Sequence, residues 1–259
     1  MKRILDAFLP LMVTFLVLGL WEWAVNHWQV PPYVLPAPLG IAKAFAANFS
    51  SLTASWIATL TVTVIAFSVA TLAAVGLAIL FSESRIAERT LYPYAVTIQV
   101  TPVVAVAPLI LIWVGYDRVM VAEALIAGIV AFFPILSGTT LGLKSASFDL
   151  IDLARLYGAS RGQILLRIRL PTALPNLLSG MKTAGGLALI GTVVAEFVAG
   201  SGTATGLAWR IIEAGNRLEI ATLFAALALL AITGIAIFAA LSLLEWWLLR
   251  RWHESAIAS

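Results

Sequence analysis

The chain has 259 residues, of which 61% are hydrophobic and 11% charged, with a net charge of +3. An ordinary soluble domain carries about 25% charged residues, so thirteen acids and sixteen bases cannot cover a soluble globule of this size. The same numbers exclude a disordered chain and a charged nucleic-acid binder, and a mean hydropathy of +1.00 leaves a polytopic membrane protein.

A membrane span needs about 20 mostly apolar residues, and a helix is the element that satisfies its own backbone in lipid. The expectation is therefore an all-α protein, and about six stretches qualify in chain order. The first runs from Phe8 to Trp28, with no small-residue cleavage site after it that would mark a signal peptide. Between Gln29 and Ser55, four prolines (Pro31, Pro32, Pro36, Pro38) predict an extended segment followed by a short helix from Leu39 to Phe49 on the outer face. The second span lies in the charge-free run 44–82, at about Trp56 to Phe81. The third lies in the charge-free run 90–116, broken by Pro93, Pro102 and Pro108. The fourth is Met120 to Leu141 and contains Pro134. The fifth is Asn176 to Ala199, and the sixth Ile220 to Leu249. The whole reads as one transmembrane domain over residues 1–259, with its core at about 50–250.

Basic residues orient these spans, because cytoplasmic loops retain Lys and Arg. With the N-terminus inside, eleven bases fall on the cytoplasmic side and four, Lys43, Arg118, Arg210 and Arg217, fall outside. Both termini are therefore expected in the cytoplasm. Trp246, Trp247 and Trp252 fit the inner aromatic belt, and Trp21, Trp23 and Trp28 the outer one. There is no cysteine, and the only histidines are His27 and His253. Neither a metal site nor a set of catalytic residues is expected, and a membrane enzyme lacks the necessary side chains.

The loop 143–175 holds five of the inner bases. Leu150, Ile151, Leu153, Ala154 and Tyr157 recur at helical spacing, Asp149 is a candidate cap, and Gly158 and Gly162 interrupt the pattern. A second amphipathic stretch carries Ile164, Leu165 and Ile168, with Pro171 and Pro175 expected to end it before the fifth span. Two short helices joined near a glycine are either an interfacial hairpin whose arginines touch headgroups or a docking surface for a cytoplasmic partner.

The spacing of this loop resembles the EAA loop of bacterial ATP-binding-cassette (ABC) importer permeases: E-A-A, three residues, G, nine residues, I, one residue, L-P. Here it reads Asp152-Leu153-Ala154, three residues, Gly158, nine residues, Ile168, Arg169, Leu170-Pro171. Asp152 replaces Glu and Leu153 replaces the first Ala. Val34-Leu35-Pro36-Ala37-Pro38 is similar to the segment after the first span in permeases of the nitrate/sulfonate/taurine/bicarbonate type. Pro102 to Gly115, Val194-Ala195-Glu196 and Gly200-Ser201-Gly202 are similar to later parts of that group, so the likeness covers residues 10 to 250.

That resemblance implies a type I importer bundle in the bacterial inner membrane. It implies two permease copies, two ATP-binding subunits beneath them, and an extracytoplasmic solute-binding protein delivering a small solute. That solute would be nitrate-, sulfonate-, taurine- or bicarbonate-like, or a pyrimidine precursor. No cofactor is expected on this chain, ATP and magnesium belonging to the partner ATPase. The sequence agrees, since none of its four lysines follows a glycine as a phosphate-binding loop requires. The resemblance assigns ATPase coupling to Asp152, Leu153, Ala154, Leu156, Tyr157, Gly158, Ala159, Ile168, Leu170 and Pro171. Asp152 would pair with the partner, while Leu153, Leu156 and Tyr157 fill its pocket.

Within the membrane, the pathway or gate candidates are Gln99, Thr101, Pro102 and Glu196. A polar, proline-broken segment is tolerated where it lines a cavity. Glu196 reads either as a gate or as an interfacial charge reaching water. Glu123 is expected to snorkel at the outer surface and Lys182 to reach inner headgroups. Gly185, Gly186 and Gly191 are expected at close helix contacts. The alternative function is a self-sufficient secondary transporter or channel, which predicts inverted repeats or paired intramembrane charges. No clear repeat is visible and few charges are central.

Overall fold

The computed structural model describes residues 2–200 and 205–250, the side chains of residues 2–7, 10 and 11 excepted. Ser201, Gly202, Arg251, Trp252 and His253 lie outside the described residues, as do the side chains of Lys2 and Arg3. Among the described residues the chain is helical with no strand. Its helices are α1 (Lys2–His27), α2 (Pro38–Ala47), α3 (Phe49–Glu83), α4 (Arg85–Val100), α5 (Val103–Val114), α6 (Val119–Lys144), α7 (Phe148–Leu156), α8 (Arg161–Ile164), α9 (Leu170–Ala199), α10 (Leu207–Asn216) and α11 (Ile220–Leu249).

Among the described residues, four continuous segments are long and apolar enough to cross a membrane: Phe49–Glu83, Tyr116–Lys144, Arg161–Ala199 and Ile220–Leu249. The expected first span is the 26-residue helix α1. The expected third span is the pair α4 and α5, bent by 102° at its break. The cause is local. Proline disfavours helical backbone in the residue before it, and Thr101 is extended, at φ −65° and ψ 126°. By contrast Pro93, Pro108, Pro134 and Pro175 are all accommodated inside helices.

The fifth span corrects an expectation. The amphipathic stretch after Gly158 is not a separate short helix ended by Pro171 and Pro175. Residues 161–199 run as one continuous helical segment, widened to a π-turn at Leu165–Arg169, where the Leu170 N–H donates to the Leu165 carbonyl. Proline lacks an N–H, and its ring crowds the carbonyl four residues back. The wider turn just before Pro171 relieves that crowding, and Thr172 Oγ1 donates to the Ile168 carbonyl at 2.7 Å.

The contacts divide the chain into two compact units. The first comprises residues 1–58 and 205–231. Its core is Leu52, Leu207, Ala225 and Ala226, packed by Ile41, Phe45 and Trp56. The N-terminus of α2 has no capping side chain of its own. Glu22 on α1 supplies one, its Oε2 accepting the Leu39 N–H at 3.0 Å, where a carboxylate also suits the helix dipole. On α10, Arg210 donates to Ser55 Oγ at 3.0 Å and pairs with Glu213 at 2.6 Å.

The second unit comprises residues 59–204 and 232–259. Its principal packing is α6 against α9, and two glycines show how close that approach is. A Cβ on Gly180 would lie 2.6 Å from the Pro134 carbonyl oxygen, and one on Gly142 would lie 2.7 Å from Ala173 Cα. Small residues let membrane helices bring their backbones together where apolar burial supplies little drive. Gly191 meets Ala127 in the same way and Gly185 meets side chains of α11, as expected, but Gly186 faces open space. Ile135, Leu136, Ala184 and Ala188 form the buried centre of this unit.

Candidate functional site

The residues singled out from the 143–175 loop separate into two faces. Ile151 of α7 is buried with Ala146 and Ile164, and Ala154, Ala159 and Ile168 pack against that cluster. Leu170 packs into the main core of the unit. These side chains therefore anchor the hairpin rather than present it. The opposite face carries Asp152, Leu153, Leu156 and Tyr157, and the last two are each 85% exposed. Phe148 and Leu150 are also exposed, and the motif does not include them. Their signal is the amphipathic period itself, which continues toward the N-terminus of the E-A-A segment. Asp152 bonds Arg155 at 3.0 Å on the surface, and Pro171 is exposed.

The hairpin is held by two linked caps. Gly158 stands at φ +78°, in the left-handed region that suits glycine. The Ala159 N–H donates to the Ala154 carbonyl and the Gly158 N–H to the Arg155 carbonyl, both at 2.9 Å. This is a Schellman end, with Ala159 and Ala154 meeting in the apolar cluster below it. One residue later, Ser160 opens a capping box: its Oγ accepts the Gln163 N–H at 3.3 Å, and Gln163 Oε1 accepts the Ser160 N–H at 2.8 Å. Stop and start signals are adjacent, so α7 is set rigidly on the helix that becomes the fifth span.

At the bend of the third span, Gln99 and Thr101 line a cleft of about 260 Å³ with Ile98, Val103, Ile129, Val130 and Leu187. Its lining offers one amide, one hydroxyl and apolar groups, with no charged side chain. Pro102 creates the bend without lining the cleft.

Glu196 stands apart from that cleft. It is 1% exposed, and its Oε1 accepts the Thr59 hydroxyl at 2.7 Å. One turn along, Thr63 and Thr192 Oγ1 are 3.1 Å apart. A charge reaching water at the interface is excluded by this burial. Glu123 is likewise not a snorkelling residue: it is 6% exposed, on the face of α6 that packs against α9, within Coulombic range of Glu196. Its place near the start of a span suggests surface, but helical phase decides which face it occupies. Lys182 also departs from expectation, pairing with Glu245 of α11 at 2.5 Å instead of extending to headgroups. A buried charge in a low-dielectric setting persists when paired or hydrogen-bonded, and Glu196 with its threonine donor and Lys182 with its carboxylate partner follow that rule.

The model of the family described as "binding-protein-dependent transport system inner membrane component" matches residues 69–253. The chain belongs to this family. The match takes in the broken span, the hairpin, Glu196 and the last span. The chain is 36% identical over 242 residues to the riboflavin transport system permease protein of Chloroflexus aurantiacus, covering 93% of this chain and 88% of that one. It is 30% identical over 246 residues to the formylaminopyrimidine transport permease protein of Halalkalibacterium halodurans, covering 95% and 96%. It is 29% identical over 224 residues to the taurine transport system permease protein of Escherichia coli, covering 83% and 79%. The protein is an ABC-transporter permease, an inner-membrane transport subunit and not an enzyme. Such a subunit works with an ATPase and a solute-binding protein.

Proposed function

We propose that two copies of this permease line the pathway, that each receives one ATP-binding subunit on α7, and that both termini lie in the cytoplasm. ATP and magnesium are then held by the partner ATPase, and a solute-binding protein delivers from the outer side. The observation that carries this reading is the outward face of α7. Four apolar side chains (Leu150, Leu153, Leu156 and the capping Tyr157) stand exposed along one short helix whose own inner face is already packed. A contiguous exposed apolar patch marks a surface that another body covers, and burying one such side chain contributes roughly 1.5–3 kcal/mol. The two caps make α7 a lever: force on Leu156 or Tyr157 passes through the Schellman turn and the capping box into the fifth span without a flexible joint.

The proposed solute is a small neutral nitrogen heterocycle. Two of the relatives carry riboflavin and formylaminopyrimidine in their names. The cleft at the broken span supports that choice over an anion, since Gln99 and Thr101 can hydrogen-bond a ring nitrogen or carbonyl and no cation lines it. A sulfonate or nitrate would lose hydration there without a compensating positive charge.

The test is reconstitution of the permease with its ATPase and binding protein in vesicles. ATP-driven uptake of a pyrimidine or flavin solute, abolished by Leu156→Asp together with loss of ATPase co-purification, supports the reading. Uptake that proceeds without any ATPase returns the secondary-transporter alternative.

A further inference from the structure

Beside the base of α7, at the ends of α3 and α6, lies a cavity of about 430 Å³, within the size range of small-ligand clefts, roughly 300–1,000 Å³. Four cations line it, Arg85, Arg89, Lys144 and Arg169, against one carboxylate, Glu88. Lys144 is paired with Glu88, and Arg169 donates to the Ser82 carbonyl at 3.0 Å and to Glu83 at 3.4 Å. Among the described residues, Arg85 and Arg89 have no acidic partner within ion-pair reach, and the buried Arg169 Nε has no hydrogen-bond acceptor. The concentration of positive charge is also placed against helix electrostatics. Arg85 opens α4, where the macrodipole already supplies positive potential and a base is unfavourable.

The surroundings are apolar. Phe81 and Leu143 form part of the wall, and Ile86, between the two free arginines, is 79% exposed. Charge above and hydrocarbon beside is the chemistry of a phospholipid headgroup with its acyl chains. Basic pockets between spans on the cytoplasmic side bind anionic headgroups.

We infer that this cavity binds the phosphate of an anionic phospholipid of the inner leaflet, held by Arg85 and Arg89 with Lys144 and Arg169. Phe148 and Ile151 of α7 line the same cavity, so an occupied site braces the base of the docking helix. The placement rests on the proposed orientation, with this end of the bundle in the cytoplasm.

The test uses the full purified chain, without its ATPase, in mild detergent with equal amounts of phosphatidylglycerol and phosphatidylcholine. Native mass spectrometry then counts the retained lipid of each kind. The wild type is expected to retain phosphatidylglycerol preferentially. In Arg85→Gln/Arg89→Gln that preference should fall about 25-fold, a factor of about five for each base lost. Arg85→Lys/Arg89→Lys should keep it, as should Arg118→Gln on the opposite loop. An unchanged preference in the double glutamine variant overturns the inference. Displacement of the lipid by millimolar inorganic phosphate overturns it in favour of a soluble phosphate ligand. In a parallel capture assay with the ATPase added, unchanged lipid retention with lost ATPase capture by the double glutamine variant overturns it in favour of a protein contact. Failure of the docking reading would appear separately, as normal ATPase capture by Leu156→Asp with the lipid preference intact.

Discussion

Thr59 Oγ1 donates to Glu196 Oε1 across 2.7 Å, joining α3 to α9 at a point where both side chains are about 1% exposed. Leaving a buried acceptor without its donor costs about 1–3 kcal/mol, and here the acceptor is a carboxyl group beside a second one, Glu123. Thr59→Val should lower thermal stability of the detergent-solubilised chain by that amount. Thr59→Ser, which keeps the hydroxyl, should restore most of it. Equal melting temperatures for the valine variant and wild type would show that the bond contributes nothing.

Gly158 separates conformation from packing. Its φ is +78°, and nothing lies within 4 Å of the position a Cβ would take. A β-branched residue there is opposed by backbone strain alone, on the order of 1–3 kcal/mol. Gly158→Val should leave insertion and expression near normal but loosen α7, reducing ATPase co-purification and uptake together. Gly158→Asn should be much milder, because asparagine tolerates left-handed backbone. Identical loss in both variants would point to lost space and against the strained turn.

Close packing of α6 on α9 predicts a sharp contrast between two glycines of one helix. Gly180→Ala places a methyl 2.6 Å from the Pro134 carbonyl, whereas Gly186→Ala meets nothing within 4 Å. Overpacking costs about 1–3 kcal/mol, so the first variant should unfold at lower denaturant. The second should be neutral or slightly more stable, as alanine is the better helix former. Equal unfolding midpoints would contradict so close an approach of the two helices.

Lys182 and Glu245 form a half-buried pair at 2.5 Å. Charge reversal at either residue should impair folding, and the exchange Lys182→Glu/Glu245→Lys should recover part of it. A double-mutant cycle should give a coupling of about 0.5–3 kcal/mol. No recovery in the exchanged variant would mean that each residue acts through other neighbours.

Much of the site was readable from residue order because its signals are local. The Asp152–Leu153–Ala154 to Gly158 spacing marks the end of α7, since a left-handed cap favours glycine and nearby carbonyls need donors. Thr101-Pro102 likewise announces the break of the third span, since the backbone before a proline is sterically restricted. Ala154, Ala159, Ile168 and Leu170 show the boundary of that reading. They are among the residues that the resemblance assigns to coupling, yet they face inward, and only packing reveals it.

By itself, then, the sequence determined that the chain is a helical membrane protein, where the third span breaks and where the hairpin of the 143–175 loop turns. Each of these follows from composition or from the chemistry of neighbours along the chain. The tertiary structure alone decided the fate of its intramembrane charges and the continuity of the fifth span. It buried Glu123 and Glu196, gave Lys182 a partner 63 positions away, and carried the helix through Pro171 on a widened turn. The reason is that a charge's partner and a helix's phase are set by which faces pack, and that is a property of two helices together.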